Sequence, residues 1–306
     1  MVNPASTTDH SVPLPWPGPA EDYAAVAAGR VTPPEVAQWH TQAQCVHFTH
    51  AGGVLTAHHW PAAPEAAQKA PVVLLHGGSG SWTHWLRMLG PLTQAGHAVW
   101  ALDLPGFGAS DPLPDQQDAD DMPPLLAAAL QQWLGGQPVQ IMGFSLGGLT
   151  AALLAAAYPS LVRQLVLVGP PGLGLRDQPS YRLKGWRHLS DPQEQLHRHC
   201  HNLAALMLSD PRRIDRNTLA LHTANVHRDR LPRRRLASTD ILRQTLPRLT
   251  CPVHGVYGEQ DVLYRGLWPQ VAACFQGRLQ LIAAAGHWVQ YEQPQALADV
   301  VLPWLH

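Results

Sequence analysis

Short apolar runs recur along most of the chain, each followed by a longer stretch in which apolar residues return every three or four positions. "PVVLLHGG" predicts a buried strand, and "SWTHWLRMLGPLTQAG" an amphipathic helix ending at Gly96. "HAVWALDLPG" is the next strand, followed by a helix over about 123–134 that stops at Gly135-Gly136. The pairing repeats with "PVQIMGFS" and the helix "LGGLTAALLAAAYP", then with the strand "VRQLVLVGPPG". Near the end, "CPVHGVYG" and "RLQLIAAAGH" are strands around a weak helix near 266–275, and a last helix runs to Leu305. Ahead of this series, "CVHFTHAGGVLTAHHW" alternates and predicts a hairpin turning at Gly52-Gly53. Strand–helix alternation of this kind builds an α/β fold, a parallel sheet with helices on both faces. In such sheets ligands bind at the carboxyl ends of the strands, so the residues just after each strand are where chemistry is expected.

Two segments depart from the rhythm. Residues 1–43 are rich in Pro and Ala and read as an irregular N-terminal arm. Residues 173–247 contain no convincing strand and carry 13 Arg and 1 Lys against 6 Asp and 1 Glu, in a chain whose net charge is −1. They read as an inserted helical module dividing one α/β core, 44–172 and 248–306. With 306 residues, 45 % of them hydrophobic, the chain can bury a large core. Its near-neutral charge gives no expectation of nucleic acid or a membrane surface. The first residues lack the basic start and apolar core of a secretory signal, and no apolar run approaches the roughly 20 residues of a spanning helix. The cysteines, Cys45, Cys200, Cys251 and Cys274, are far apart and form no C-x-x-C pair. Neither a disulfide framework nor a metal site is expected, and a cytoplasmic setting suits this usage. The expected partner is a small-molecule substrate, with a homodimer left open and no cofactor.

The third strand of the alternating series ends in Gly143-Phe144-Ser145-Leu146-Gly147, the only G-x-S-x-G in the chain, with a helix directly after it. Glycines suit this position because a sharp strand-to-helix turn brings the backbone close to itself. Such a turn lifts the serine hydroxyl to the top of the sheet, at a helix N-terminus whose dipole favours negative charge. A lone hydroxyl is a poor nucleophile, so a base and an orienting group are required. His287 follows the last strand in "AAAGHWVQYEQP", and Asp261 follows the preceding strand in "YGEQDVLY", where Glu259 is an alternative acid. The order Ser, Asp, His is that of a known triad arrangement. Asp103 also ends a strand and reads as structural. For an oxyanion, the N–H of Leu146 and that of Gly78 in "HGGSGSW" are the natural donors.

"LLHGGSGSW", "DLPGFGASD", "GFSLGG", "YGEQD" and "AGHW", in this order, resemble the α/β-hydrolase superfamily over about 45–172 and 248–305. The resemblance implies an eight-stranded, mostly parallel sheet, with 173–247 as a helical cap over the active site. It implies Ser145 as nucleophile, His287 as base and then acid, Asp261 as the orienting carboxylate, and Gly78 and Leu146 as oxyanion donors.

Serine at the turn speaks against the dehalogenase and epoxide-hydrolase branches. Hydrolysis of a carboxylic ester through an acyl-enzyme is the most economical use of the triad. Trp288 after the histidine and the Gly/Ser-rich "HGGSGSW" resemble instead the hydrolases that cleave carbon–carbon bonds in ring-fission products of aromatic catabolism. Those substrates are anionic, and Arg228 or Arg230 in "NVHRDRLPRRR" would be carboxylate clamps. Those enzymes, however, usually carry asparagine where Phe144 stands, which ranks the ester first, the carbon–carbon bond second, and acyl transfer or thioester cleavage third. A binding protein that keeps the fold without turnover is the reading from another class. Trp82, Trp186, Phe144 and Trp288 are candidates for an apolar substrate pocket, whereas Trp85 reads as core. In "HRHCH", only His197 and His201 share a helix face, and no third metal ligand is evident.

Overall fold

A proline-rich start does not prevent regular structure. The structure, a computed structural model, describes residues 14–65, 69–176 and 180–305. Within the arm expected to be irregular, two helices form, α1 (Ala20–Ala27) and α2 (Pro34–Gln42). Pro19 stands at the cap of α1 and Pro34 opens α2, positions where a missing N–H costs nothing. The prolines therefore mark helix starts, and the alanines of "AEDYAAVA" are strong helix formers. Residues 1–13 of the arm lie outside the described residues.

The hairpin forms as read, from β1 (Gln44–His50) and β2 (Gly53–Trp60). The alternating series follows with β3 (Lys69–Leu75), α3 (Leu89–Gln94), β4 (His97–Asp103), α4 (Pro123–Leu134), β5 (Val139–Phe144), α5 (Leu146–Ala157) and β6 (Val162–Val168). The helix expected from Ser81 to Gly96 is divided. Trp82–Met88 winds as a 3-10 helix before α3 begins. Pro91 cannot donate to the preceding turn, so it is accommodated in the first turn of a new helix. Between β6 and β7 lie α6 (Pro192–Asn202), α7 (Arg216–His227) and α8 (Ile241–Thr245), with no strand among the described residues. The chain then completes β7 (Val253–Gly258), α9 (Trp268–Cys274), β8 (Leu279–Ile282), α10 (Val289–Glu292) and α11 (Pro294–Val301). The last helix, expected to be continuous, breaks at Pro294, whose ring excludes helical backbone from Gln293 (φ −135°, ψ 58°).

The eight strands form one sheet in the order β1-β2-β4-β3-β5-β6-β7-β8. β1 and β2 are antiparallel to their neighbours, and β3 to β8 run parallel to one another. This is the α/β-hydrolase fold. Central strands such as β5 are buried along their whole length, as expected where helices cover both faces. One apolar cluster, with Val72, Leu74, Val99, Met142 and Val166, packs on one face, and Val73, Leu75, Ile141, Leu165 and Leu167 pack on the other. Alternate residues of the same strands thus feed separate layers.

The helices between β6 and β7 are tied to the rest at several places, among them α1 and the loop after β8. Arg216 on α7 pairs with Asp22 of α1 and holds its carboxyl below the usual range. Thr223 Oγ1 donates to Val26 O (2.6 Å), and His227 Nε2 bonds Ala27 O (2.8 Å). On the other side, the buried Glu292 carboxylate accepts N–H bonds from Gly286 (2.6 Å), Ser209 (2.9 Å) and Asp210 (3.2 Å). Trp288 N donates to Met207 O (2.8 Å). Among the described residues, no helix is long and apolar enough to cross a membrane.

Candidate active site

The turn between β5 and α5 leaves Ser145 with φ 50° and ψ −118°, a conformation L-residues rarely adopt. Glycine on both sides makes it attainable. A Cβ on Gly143 would stand 2.5 Å from Gly147 O, and one on Gly147 would stand 2.3 Å from Leu75 O. The turn is fixed by Ser145 N donating to Val168 O (2.8 Å) and by Ser145 O accepting from Gly148 N (2.9 Å). Ser145 is thereby raised above the carboxyl edge of the sheet at the start of α5.

Residues 142 and 116 positions further along the chain come to meet it. His287 Nε2 lies 2.9 Å from Ser145 Oγ, and His287 Nδ1 lies 2.8 Å from Asp261 Oδ2. The other oxygen, Asp261 Oδ1, accepts Leu263 N (2.9 Å). Asp261 is fully buried and Glu259 is exposed, so the alternative acid is set aside. Gly169, at the end of β6 with φ 56°, lies flat against the pair. This arrangement can pass the hydroxyl proton to a base held in one orientation, which is the chemical requirement for attack on a carbonyl.

Gly78 and Leu146 both line the cavity above Ser145, which has a volume of about 670 Å³. Leu146 opens α5, and the first N–H groups of a helix have no partner within it. The loop carrying Gly78 is held from outside: Ser79 Oγ donates to Asp229 Oδ2 (2.5 Å), and Asp229 also pairs with Arg234. Asp103 is structural, as read: Oδ1 accepts Trp82 N and Oδ2 accepts Ala109 N, both at 2.8 Å. Burial pushes its carboxyl up. His76 Nε2 accepts Leu104 N (2.9 Å), leaving its Nδ1–H for Gly77 O (2.7 Å), and burial keeps its pKa down.

Of the expected pocket residues, Phe144 and Trp186 line the cavity. Trp82, Trp288 and Arg228 do not. Ser81 caps the 3-10 helix and turns Trp82 towards β2, where its ring meets His58 (5.1 Å) and Trp60 (5.4 Å). Trp288 donates Nε1–H to His84 O (3.0 Å) and stacks on Tyr291 (4.2 Å), so it is buried and does not line the cavity. Arg228 is the exposed C-cap of α7, and Arg230 is engaged by the Ser110 carbonyl. Trp85 is fully buried in the core.

Sequence reasoning missed Arg187, Arg234, Tyr181, His84, His199 and His222 as cavity residues. Strand ends point to a site, but a helix without known neighbours does not reveal which face it turns inward. In "HRHCH" the residue that faces the cavity is His199, while His201 Nε2 bonds Arg182 O (3.0 Å). Among the described residues, the group with metal-ligand spacing is instead His40, Cys45 and His58, whose donor atoms lie within 4.8 Å of one another, away from the cavity.

Residues 70–191 match the family described as alpha/beta hydrolase fold. The chain is similar to the 2-hydroxy-6-oxo-6-phenylhexa-2,4-dienoate hydrolase of Comamonas testosteroni, with 26 % identity over 79 % of this chain and 89 % of that one. It is also similar to the 2-hydroxy-6-oxononadienedioate/2-hydroxy-6-oxononatrienedioate hydrolase of Klebsiella pneumoniae, at 25 % identity over 78 % of this chain and 87 % of that one. Among solved structures it resembles a carboxylesterase from Bacillus subtilis, with a TM-score of 0.65 and 17 % identity over 92 % of this chain and 97 % of that one. At that identity the likeness is one of fold. Five motifs in order, the sheet topology and these similarities agree: the chain has the α/β-hydrolase fold and is similar to hydrolases that carry it.

Proposed function

We propose that the chain cleaves the carboxylic ester of a small organic substrate through an acyl-enzyme on Ser145. The observation that carries this reading is the relay Ser145 Oγ–His287 Nε2 (2.9 Å) and His287 Nδ1–Asp261 Oδ2 (2.8 Å), facing a cavity of about 670 Å³. As Oγ bonds to the ester carbon, His287 takes its proton, and the imidazolium gives that proton to the departing alkoxide. Water then adds to the acyl carbon, with His287 again taking and returning a proton, and the carboxylic acid leaves. Asp261 keeps the Nδ1–H tautomer and stabilises the imidazolium. The N–H groups of Gly78 and Leu146 receive the oxyanion, each worth about 3–4 kcal/mol of barrier. The inserted segment 173–247 acts as the cap that selects the substrate, and the reaction needs no cofactor.

Phe144 supports an ester. Its ring packs 5.0 Å from that of His287 and offers no hydrogen-bond donor. An alkoxide leaves readily with one proton from His287, whereas a carbanion needs its charge delocalised and directed by polar groups beside the serine. Carbon–carbon hydrolysis of a ring-fission product is the second reading, favoured by the nearly full-length similarity to the two dienoate hydrolases.

The test supplies the purified protein with p-nitrophenyl butyrate and, separately, with a yellow ring-fission product followed by its absorbance. Ester turnover that falls at least ~10⁴-fold in Ser145→Ala, with the yellow compound persisting, supports the first reading. Turnover of the yellow compound without ester cleavage transfers the assignment to the second. Activity that survives in Ser145→Ala removes both.

A further inference from the structure

Four cavity histidines, His84, His188, His199 and His222, take no part in the Ser145–His287–Asp261 relay. His199 on α6 and His222 on α7 meet edge to face, with ring centroids 5.2 Å apart. His199 is 0 % exposed, and neither of its ring nitrogens has a hydrogen-bond partner. A neutral imidazole has one N–H to give and one lone pair to receive with. Buried polar atoms are almost always paired, so an imidazole that lines a substrate cavity with both nitrogens uncommitted is a group available to a ligand.

The surroundings define what kind of ligand. Trp186 lies 4.7 Å from His199. On the catalytic side, His287 is 5.0 Å from Phe144, and Phe144 is 5.5 Å from His84. His222 is near enough to His84 to disfavour a charge there. Rings therefore follow one another along the cavity from the triad to Trp186, a surface suited to a flat, unsaturated group. Burial holds His199 down to about 2 and His222 to about 4, so both are uncharged at neutral pH. Arg187 reinforces this at His199, while its own guanidinium bonds Val226 O (3.2 Å) and lies over Trp186.

We propose that His199, with His222 beside it, recognises a neutral hydrogen-bonding substituent, a hydroxyl or carbonyl, at the end of the substrate's aromatic or unsaturated group remote from the bond cleaved. This rests on the reading of Ser145 as the nucleophile. It makes His199 a specificity-determining residue and separates the remote end of the substrate from any requirement for a carboxylate.

The experiment compares two series of aryl esters, with the ring on the acyl side or on the alcohol side, each bearing para-H, para-OH or para-carboxylate. The expected result is that para-OH exceeds para-H about tenfold in kcat/KM in one series, the worth of one neutral hydrogen bond. His199→Phe brings the para-OH to para-H ratio of kcat/KM to about one, His199→Gln restores part of it, and His222→Phe weakens it. Equilibrium binding of the matching ketones, para-OH against para-H, reads the same preference without turnover. Equal treatment of para-OH and para-H by the wild-type protein overturns the proposal. So does a preference that survives His199→Phe, or selection of the carboxylate. If no ester is cleaved but the ketone preference depends on His199, the ester reading fails and the recognition site stands.

Discussion

Gly169 lies against His287: a Cβ built on this glycine would stand 3.1 Å from His287 Nδ1 and 3.2 Å from Asp261 Oδ2. With φ at 56°, the end of β6 also adopts backbone that other residues reach only with strain. One glycine just after β6 thus leaves room for the loops that follow β7 and β8 to bring Asp261 and His287 into their hydrogen bond. Its role is to leave room.

Gly169→Ala is therefore expected to push the imidazole off its line to Ser145. Displacement of a catalytic group by a fraction of an ångström costs on the order of tenfold to a hundredfold in kcat. KM should change little, because Gly169 does not line the cavity. An unchanged kcat in a stopped-flow ester assay would contradict this packing.

Asp261→Asn preserves size but reverses the bond to His287. The remaining carbonyl oxygen accepts Leu263 N, so the amide N–H₂ faces His287 Nδ1 and forces the proton onto Nε2. That nitrogen then cannot receive the Ser145 proton, and kcat should fall by about 10³–10⁴. Glu259→Gln, at an exposed position, should stay within twofold of wild type. Similar losses in both variants would mean that Asp261 is not the orienting acid.

Ser79→Ala removes the hydroxyl that joins the Gly78 loop to Asp229. One hydrogen bond to a charged group contributes about 1.5–3 kcal/mol, here to the placement of the Gly78 N–H. A fall of about tenfold in kcat/KM, with the thermal midpoint nearly unchanged, is expected. A large loss of stability without a kinetic effect would assign the link to folding alone.

Glu292→Ala should act on stability. It strips the acceptor from Gly286, Ser209 and Asp210 N–H groups and uncouples the inserted segment from the His287 loop. A loss of about 3 kcal/mol is expected, seen in urea unfolding as a lower midpoint. A midpoint equal to wild type would show that Trp288 N–Met207 O and its neighbours suffice.

Acid should destabilise the native chain through its buried histidines. An unfolded ring titrates near 6.5, but native His58 is held to about 4, first by burial and then by the proximity of His40. Between those values the unfolded chain carries a proton that the native one lacks. Stability is therefore full above about pH 6.5 and falls as pH drops towards 4. His58→Gln should reduce the slope of unfolding free energy in that window by up to about 1.4 kcal/mol per pH unit. An identical slope in the variant would refute the assignment.

The chain order of motifs determined a great deal before any coordinates. Alternating strand and helix periods specify the parallel sheet, because apolar runs bounded by glycine can be buried on both faces only there. Ser145, Asp261 and His287 were legible because each follows a strand, and parallel strands deliver their carboxyl ends to one edge. Proline was legible only as a breaker. Its use as a starter in α1 and α2, and its interruption of the helices at Pro91 and Pro294, depend on which N–H groups have partners.

Tertiary structure alone decided how the helices between β6 and β7 face. Trp82 and Trp288 have the composition of pocket residues, yet hydrogen bonds to Asp103 and to the His84 carbonyl turn them into the core. His199, one of three histidines in "HRHCH", faces the cavity because Leu196 and Leu203 of the same region are buried against the core and α1. A local sequence states which residues a helix offers. Only the neighbours it packs against determine which of them meets the substrate.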